Sequence, residues 1–304
     1  MAIEKGIEKY IPNNEISLTG CPVRQTEITV KGQVFPHLET VDFPYDDPWS
    51  KFMRGVISQV REEGGFKGRS ITEFGLGDGR NIREVGNDVQ EVLGIEIEKW
   101  RLQTAGVNLV TGPARLNCPV ELWRADAVEF LQKFRPVTGR NRLSGWVIMC
   151  LPQSPEGINV ADKYDGSFTL NSYRRDWDLP GLTLNAAALD NLRVAADSSL
   201  RALIILSDRV PPEIRTKMIV ETGWQVERQF QTPEPIQQDP DTGIHWVAQI
   251  DDGQRFHELV ANRFYSPISA IEAERRRLAS IASGRGREEL NVHHYLTVYQ
   301  LRKR

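Results

Sequence analysis

From residue 70 onward the chain alternates between short apolar runs and amphipathic stretches, and this alternation restricts the fold more than any other feature. "SITEFGLG", "QEVLGIEIE", "PVELWRADA", "GWVIMCLP" and "RALIILSDRVP" read as strands. Between them "NIREVGNDV", "KWRLQTAGVNLV", "AVEFLQKF" and "NAAALDNLRVAADSSL" read as helices, the last with Ala188, Leu192, Ala195 and Ala196 on one side. Strands interleaved with helices require crossover connections, hence βαβ units and a parallel sheet covered on both faces. The fold class predicted is therefore α/β, with a doubly wound sheet.

The flanks are read in the same way. Residues 1–47 form an N-terminal extension whose two β-rich runs, "EISLTG" and "TEITVKGQVF", suit a hairpin or small sheet. The main domain spans 48–304 and opens with the helix "PYDDPWSKFMRGVISQVREEGG". Asp47 is its candidate N-cap, Pro48 suits the first turn and Gly64-Gly65 stops it. Phe52, Val56 and Val60 recur at spacing four as one apolar face. Near the end "TGWQVERQF" is a strand and "NVHHYLTVYQLRKR" alternates with period two. A helical insertion at about 266–288, "PISAIEAERRRLASIASGRGR", separates them.

The first strand runs into "FGLGDGRN", with Gly75, Gly77 and Gly79 on alternate positions. In an open α/β sheet ligands bind beyond the carboxyl ends of the strands, and glycine lets backbone approach a ligand closely. Two further strand ends carry acids. Glu96 ends "GIEIE", where a carboxylate can accept both hydroxyls of a ribose; Asp126 ends "WRADA", where an acid can accept from an adenine amino group. Each also has a plain structural reading, Glu96 as a solvated acid and Asp126 as a helix N-cap. Glu73 stands two residues before the first glycine. A pyrophosphate wants bare helix N-terminal amides, so an acid there disfavours a dinucleotide and suits an ammonium or sulfonium.

With these stations assembled, residues 50–230 resemble the class I S-adenosylmethionine-dependent methyltransferases. Glu73, Gly75, Gly77, Gly79, Glu96 and Asp126 match their pattern of acid, alternate glycines, ribose acid and adenine acid. The resemblance implies S-adenosyl-L-methionine as cofactor and a Rossmann-like sheet of seven strands, the last antiparallel. The fourth strand tip, Leu151, Pro152, Gln153 and Ser154 in "MCLPQS", lacks the Asn/Asp-Pro-Pro-Tyr/Phe of enzymes that methylate planar nitrogens. "CLPQ" is similar instead to the Cys-Ile-Pro-Gln of plant methionine S-methyltransferases. "GQVFPHLETVDF", "YDGSF" and "GLTLNAAALDNL" look like that group and its bacterial counterparts in dimethylsulfoniopropionate biosynthesis. The acceptor implied is the thioether sulfur of L-methionine, giving S-methylmethionine. Such a sulfur has no proton to lose, so no catalytic base is expected and catalysis rests on orientation.

Leu151, Pro152 and Gln153 are the candidate acceptor residues, with Tyr45 and Trp49 beside the first helix and Arg54 on it. "KYDGSFTLNSYRRDWD" offers Tyr164, Tyr173, Arg174, Arg175 and Asp178 as a substrate loop, of which Tyr173 and Arg174 are the leading choices. The alternatives are an O- or N-methyltransferase acting on another metabolite or a protein, an NAD-dependent oxidoreductase on the same glycine turn, and a non-catalytic interaction subunit.

A net charge of -3 with both signs interspersed argues against a nucleic-acid partner. The start shows no secretory signal and no apolar run is long enough to span a bilayer. A cytoplasmic protein with no membrane partner is expected. Cys21, Cys118 and Cys150 are scattered free thiols. His293 and His294 alternate to opposite faces of a strand and make a poor metal pair, so no metal is expected. The basic helix and the N-terminal hairpin are candidate elements of a homo-oligomer.

Overall fold

The computed structural model describes residues 7–11, 23–30, 33–40, 46–111, 115–153, 181–240, 242–261, 264–284 and 290–304. Its parallel strands are β4 (Ser70–Phe74), β5 (Glu91–Glu96), β6 (Val120–Arg124), β7 (Trp146–Met149) and β8 (Arg201–Ser207). They follow β1 (Glu8–Tyr10), the hairpin β2 (Val23–Val30) and β3 (Gln33–Thr40), and helix α1 (Pro48–Glu62). Between and after them come α2 (Arg80–Val85), α3 (Lys99–Gly106), α4 (Ala127–Gln132), α5 (Phe134–Thr138), α6 (Thr183–Ala195) and α7 (Pro212–Glu221). β9 (Trp224–Gln231) and β14 (Leu296–Lys303) complete the main sheet, in the order β1-β6-β5-β4-β7-β8-β14-β9. β14 runs antiparallel to both β8 and β9. This is a doubly wound, Rossmann-like α/β sheet with an antiparallel strand inserted at one end.

Both faces are covered, and the strands show it by period. In β8, Ala202, Ile204 and Leu206 join one core with α4, α6 and α7, while Leu203 and Ile205 join another with α1, α2 and α3. α1 is capped as its sequence predicts: the Asp47 carboxylate accepts the Ser50 N–H at 3.0 Å and Pro48 opens the first turn. Met53, Val56, Ile57 and Val60 form its buried stripe.

Four features differ from the sequence expectation. The sheet has eight strands rather than seven, because residues 8–10 pair antiparallel on β6, with Lys9 Nζ 2.9 Å from Glu121. A short strand there covers an otherwise open sheet edge. The hairpin pairs β2 with β3, in register from Val23↔Thr40 to Val30↔Gln33, so the second of the two runs contributes to both strands, and residues 15–20 lie outside the described residues. The insertion before the last strand is a helix, α9 (Ala270–Ala282), and also a small sheet. β11 (Phe256–Ala261) and β12 (Phe264–Ile268) pair there with β13 (His293–His294) and β10 (Ile236–Gln237), with helix α8 (His245–Ala248) ahead of them. Finally, the period-two run "NVHHYLTVYQL" breaks at Tyr295, so β13 belongs to the small sheet and β14 to the large one.

Candidate active site

The carboxyl ends of the parallel strands surround a cavity of about 380 Å³, within the range of small-molecule sites, roughly 300–1,000 Å³. β4 delivers the glycine turn. Gly75 (φ 76°) and Gly77 (φ 57°) both take left-handed backbone, for different reasons. A Cβ on Gly75 would stand 2.8 Å from the carbonyl oxygen of Cys150, just beyond the neighbouring strand β7, whereas one on Gly77 would meet nothing within 4 Å. Both line the cavity, but the missing Cβ of Gly75 permits close packing against Cys150, whereas that of Gly77 leaves open space. Gly79 does not line it. It stands at the N-cap of α2 and packs against Leu109.

The acids at the strand ends are arranged by the backbone around them. Glu96 Oε2 accepts the Gly77 N–H at 2.8 Å and Oε1 the Glu98 N–H at 3.0 Å, so each oxygen retains a lone pair beside the cavity it lines. Asp126 caps α4, its Oδ1 accepting from Val128 N at 2.9 Å and Glu129 N at 3.0 Å, and it also lines the cavity. The cap and the cavity wall are therefore one residue. Glu73 is not on the wall; it is fully buried beneath the turn. Asn81 reaches it from α2, with Nδ2 2.8 Å from Glu73 Oε1 and 3.3 Å from Cys150 Sγ. Among the described residues Glu73 Oε2 and Asn81 Oδ1 have no hydrogen-bond partner. Burial pushes the Glu73 carboxyl well above its ordinary range, and the neighbouring Asp78 and Glu96 reinforce the rise. Burial, with Glu73 alongside, likewise holds the Cys150 thiol protonated.

Asp78 is buried with Arg80, which donates to it from Nε at 2.8 Å, and with His37, 3.4 Å away. Burial alone would raise the Asp78 pKa, but the hydrogen bonds from His37 and Arg80 outweigh it and hold the carboxylate well below its ordinary range. Asn108 fastens the hairpin here, bonding Leu38 N–H at 2.9 Å, Leu38 O at 2.8 Å and Asp78 O at 2.8 Å.

The other half of the cavity is formed by Leu151, Pro152 and Gln153 after β7, Trp49 from α1, Arg209 after β8 and His294 from β13. Ser207 N–H donates to Gln153 Oε1 at 2.8 Å. Ser207 Oγ receives Arg209 N at 3.2 Å and Nε at 2.9 Å, and lies 3.0 Å from His294 Nδ1. His294 Nδ1 also stands 3.2 Å from the Tyr295 carbonyl oxygen, so it takes the hydroxyl hydrogen in one tautomer and donates to that carbonyl in the other. Burial and then the Arg209 charge depress the His294 pKa well below its ordinary value, so the ring is neutral. Burial also lowers Arg209 to about 10, still charged, with Asp239 opposing the shift. The ring of Trp49 stands 5.9 Å from that of His294.

Tyr45, Ser154, Tyr164, Tyr173, Arg174, Arg175, Asp178 and Cys21 lie outside the described residues. Arg54 is buried on α1 and does not line the cavity. His293 faces away and stacks edge-on with Tyr265 at 5.2 Å. Among the described residues no three His, Cys, Asp or Glu side chains are grouped to hold a metal ion, and no helix is long and apolar enough to cross a membrane. Sequence reasoning missed Asn81, Arg209 and His294. Arg209 carried a usable signal, two residues beyond the fifth strand; His294 carried none, because its strand leaves the main sheet.

No family model matches the sequence, and no curated protein matches it. Among solved structures the chain is similar to the magnesium protoporphyrin IX methyltransferase of Synechocystis PCC 6803 with bound SAM, at 12% identity over 82% of this chain and 78% of that one, TM-score 0.41. It is also similar to the YcgJ protein of Bacillus subtilis, at 13% over 83% and 98%, TM-score 0.44. A third is the precorrin 8w decarboxylase of Methanobacterium thermoautotrophicum, at 12% over 87% and 95%, TM-score 0.42. Likenesses this distant leave function to be argued from the site itself.

Proposed function

We propose that the chain is an S-adenosylmethionine-dependent methyltransferase acting on a small amino-acid-like substrate, with the thioether sulfur of L-methionine as acceptor. The observation that carries the cofactor is the convergence of Gly77, Glu96 and Asp126, from three strand ends, on one cavity. The residues fit the group. Glu96 would accept ribose hydroxyls, Asp126 an adenine amino group, and the orphaned Asn81 Oδ1 an ammonium N–H. The open side of Gly77 leaves room for backbone contact. A dinucleotide fits poorly, since Gly77 N–H is taken by Glu96 and Arg80 N–H by Asp78 at 3.1 Å, leaving carboxylates where a pyrophosphate would need amides.

When bound, S-adenosylmethionine supplies an electrophilic methyl on a sulfonium. The chain's own part is positional. Glu73 and Asn81 place a polarisable pair under the turn, and an adjacent cation draws the Glu73 carboxyl toward its ionised form. Trp49 and Leu151 wall the cavity and exclude water, and an aromatic face tolerates a cation.

The test is incubation of the purified chain with S-adenosylmethionine and a panel of amino acids, read by mass spectrometry. Methionine is expected to gain one methyl as a stable sulfonium. Failure to bind S-adenosylmethionine or S-adenosylhomocysteine in calorimetry would sink the cofactor reading. Methylation of an oxygen or nitrogen acceptor, with a rate falling steeply below neutral pH, would replace the acceptor.

A further inference from the structure

The acceptor half of the cavity is organised around Ser207, the fully buried last residue of β8. Three side chains each commit one polar group to it, and two of them, Gln153 and Arg209, keep a donor in either tautomer of the third. Gln153 must point Oε1 at Ser207 N–H, so its remaining group is the Nε2 amine, which is buried without a hydrogen-bond partner among the described residues. His294 Nδ1 stands 3.0 Å from Ser207 Oγ and 3.2 Å from the Tyr295 carbonyl oxygen, and donates from Nε2 when it takes the hydroxyl hydrogen. Arg209 gives Nε to Ser207 and Nη1 to Gln238 Oε1 at 3.3 Å; Nη2 bonds no described residue, and the guanidinium forms no ion pair among them. All three line the cavity and are more than nine-tenths buried. Asp239, also on the cavity wall, is the carboxylate whose charge reaches this guanidinium, yet it forms no ion pair with it, and a desolvated guanidinium beside the Gln153 amide gains from an anion brought into contact.

We propose that Arg209, Gln153 and His294 form a carboxylate subsite, and that the methyl acceptor is selected by its carboxylate. This rests on reading the cavity as a methyl-transfer site. The carboxylate could belong to the acceptor or to the amino-acid end of the cofactor. Position favours the acceptor: Asn81 serves the turn after β4, and Arg209 follows β8, two strands along the sheet and on the side away from Glu96 and Asp126. The planar fork of Arg209 suits a carboxylate better than a point charge would.

The test is calorimetry on the full chain saturated with S-adenosylhomocysteine. The probes are L-methionine, 4-(methylthio)butyrate, which lacks the amine, and 3-(methylthio)propylamine, which lacks the carboxylate. Methionine and the butyrate are expected to bind, and the amine at least tenfold more weakly. Arg209→Met should weaken both carboxylates by roughly thirtyfold or more and leave S-adenosylhomocysteine affinity in place. Gln153→Glu still accepts from Ser207 N–H but turns the free donor into an acceptor. It should weaken the same two ligands, so the outcome does not depend on one variant folding. Equal binding of the amine and the butyrate would overturn the subsite. A parallel loss of S-adenosylhomocysteine affinity in Arg209→Met would overturn the assignment to the acceptor and give the carboxylate to the cofactor. A chain that binds no cofactor refutes the methyltransferase reading separately, because carboxylate binding can still be titrated without it.

Discussion

Alanine at Gly75 and at Gly77 separates the two purposes of the glycine turn. Both positions have positive φ, and a Cβ in left-handed backbone costs about 1–2 kcal/mol. For Gly77→Ala that is the whole effect on the ligand-free fold, because the added methyl meets nothing within 4 Å. At roughly 2–4 °C per kcal/mol for a domain of this size, Tm should fall by roughly 2–8 °C. Gly75→Ala carries the same strain and sets its methyl 2.8 Å from the Cys150 carbonyl oxygen, a backbone atom one residue beyond β7 whose own N–H is bonded to Phe74 O. Overpacking of that kind adds about 1–3 kcal/mol, for a total of about 2–5 kcal/mol and a Tm loss of roughly 4–20 °C. Binding should rank the two the other way. Gly77→Ala fills space that a ligand uses and should weaken S-adenosylhomocysteine by at least tenfold in calorimetry, while any Gly75→Ala protein that remains folded loses less. Scanning calorimetry and titration on the same preparations provide the check. If Gly77→Ala binds like the parent, the open space beside Gly77 is not where the ligand lies. If Gly75→Ala is no less stable than Gly77→Ala, the close-approach argument is wrong.

Other outcomes follow from the buried groups. Glu73 has a raised folded-state pKa, so the unfolded chain loses its proton first and stability falls as pH rises above the ordinary carboxylate range. Glu73→Gln should therefore raise the Tm of the ligand-free protein at pH 7–8, show no gain near pH 4, and weaken cofactor binding; a Tm gain independent of pH would refute the desolvation argument. His294 has a depressed folded pKa, so its contribution is complete above about pH 6.5 and is lost as pH falls below it. His294→Gln should flatten that limb of a Tm–pH curve. Asp126→Ala removes a helix cap, about 1 kcal/mol, whereas Asp126→Ser keeps the cap and loses the carboxylate. Cofactor affinity in the serine variant, measured beside its Tm, tells whether the acid serves more than the helix. Glu96→Ala leaves the Gly77 and Glu98 amides without their acceptor and should lower both Tm and cofactor affinity.

The sequence by itself determined the alternating strands and helices, the order in which they occur and the capped start of α1. Those properties are written in periods of 2 and 3.6 residues and in local capping chemistry, which need only a dozen neighbouring positions. It also marked Gly77, Glu96, Asp126 and Gln153 as residues at strand ends, which in such a sheet is a statement about location. Tertiary structure decided what each strand end meets. Glu73 reads as a ligand from its spacing, yet an inward-facing strand position buries it beneath the turn and leaves Asn81 as its intermediary. Gly79 reads like Gly77, and only the side chain of Leu109 distinguishes them. The run through His293, His294 and Tyr295 has one period, but the chain changes sheet within it, and no local pattern records that. Ser207, Gln153, Arg209 and His294 come from three segments spanning residues 153 to 294. Their meeting depends on β7, β8 and β14 being neighbours, a long-range pairing that hydrophobic periodicity does not encode.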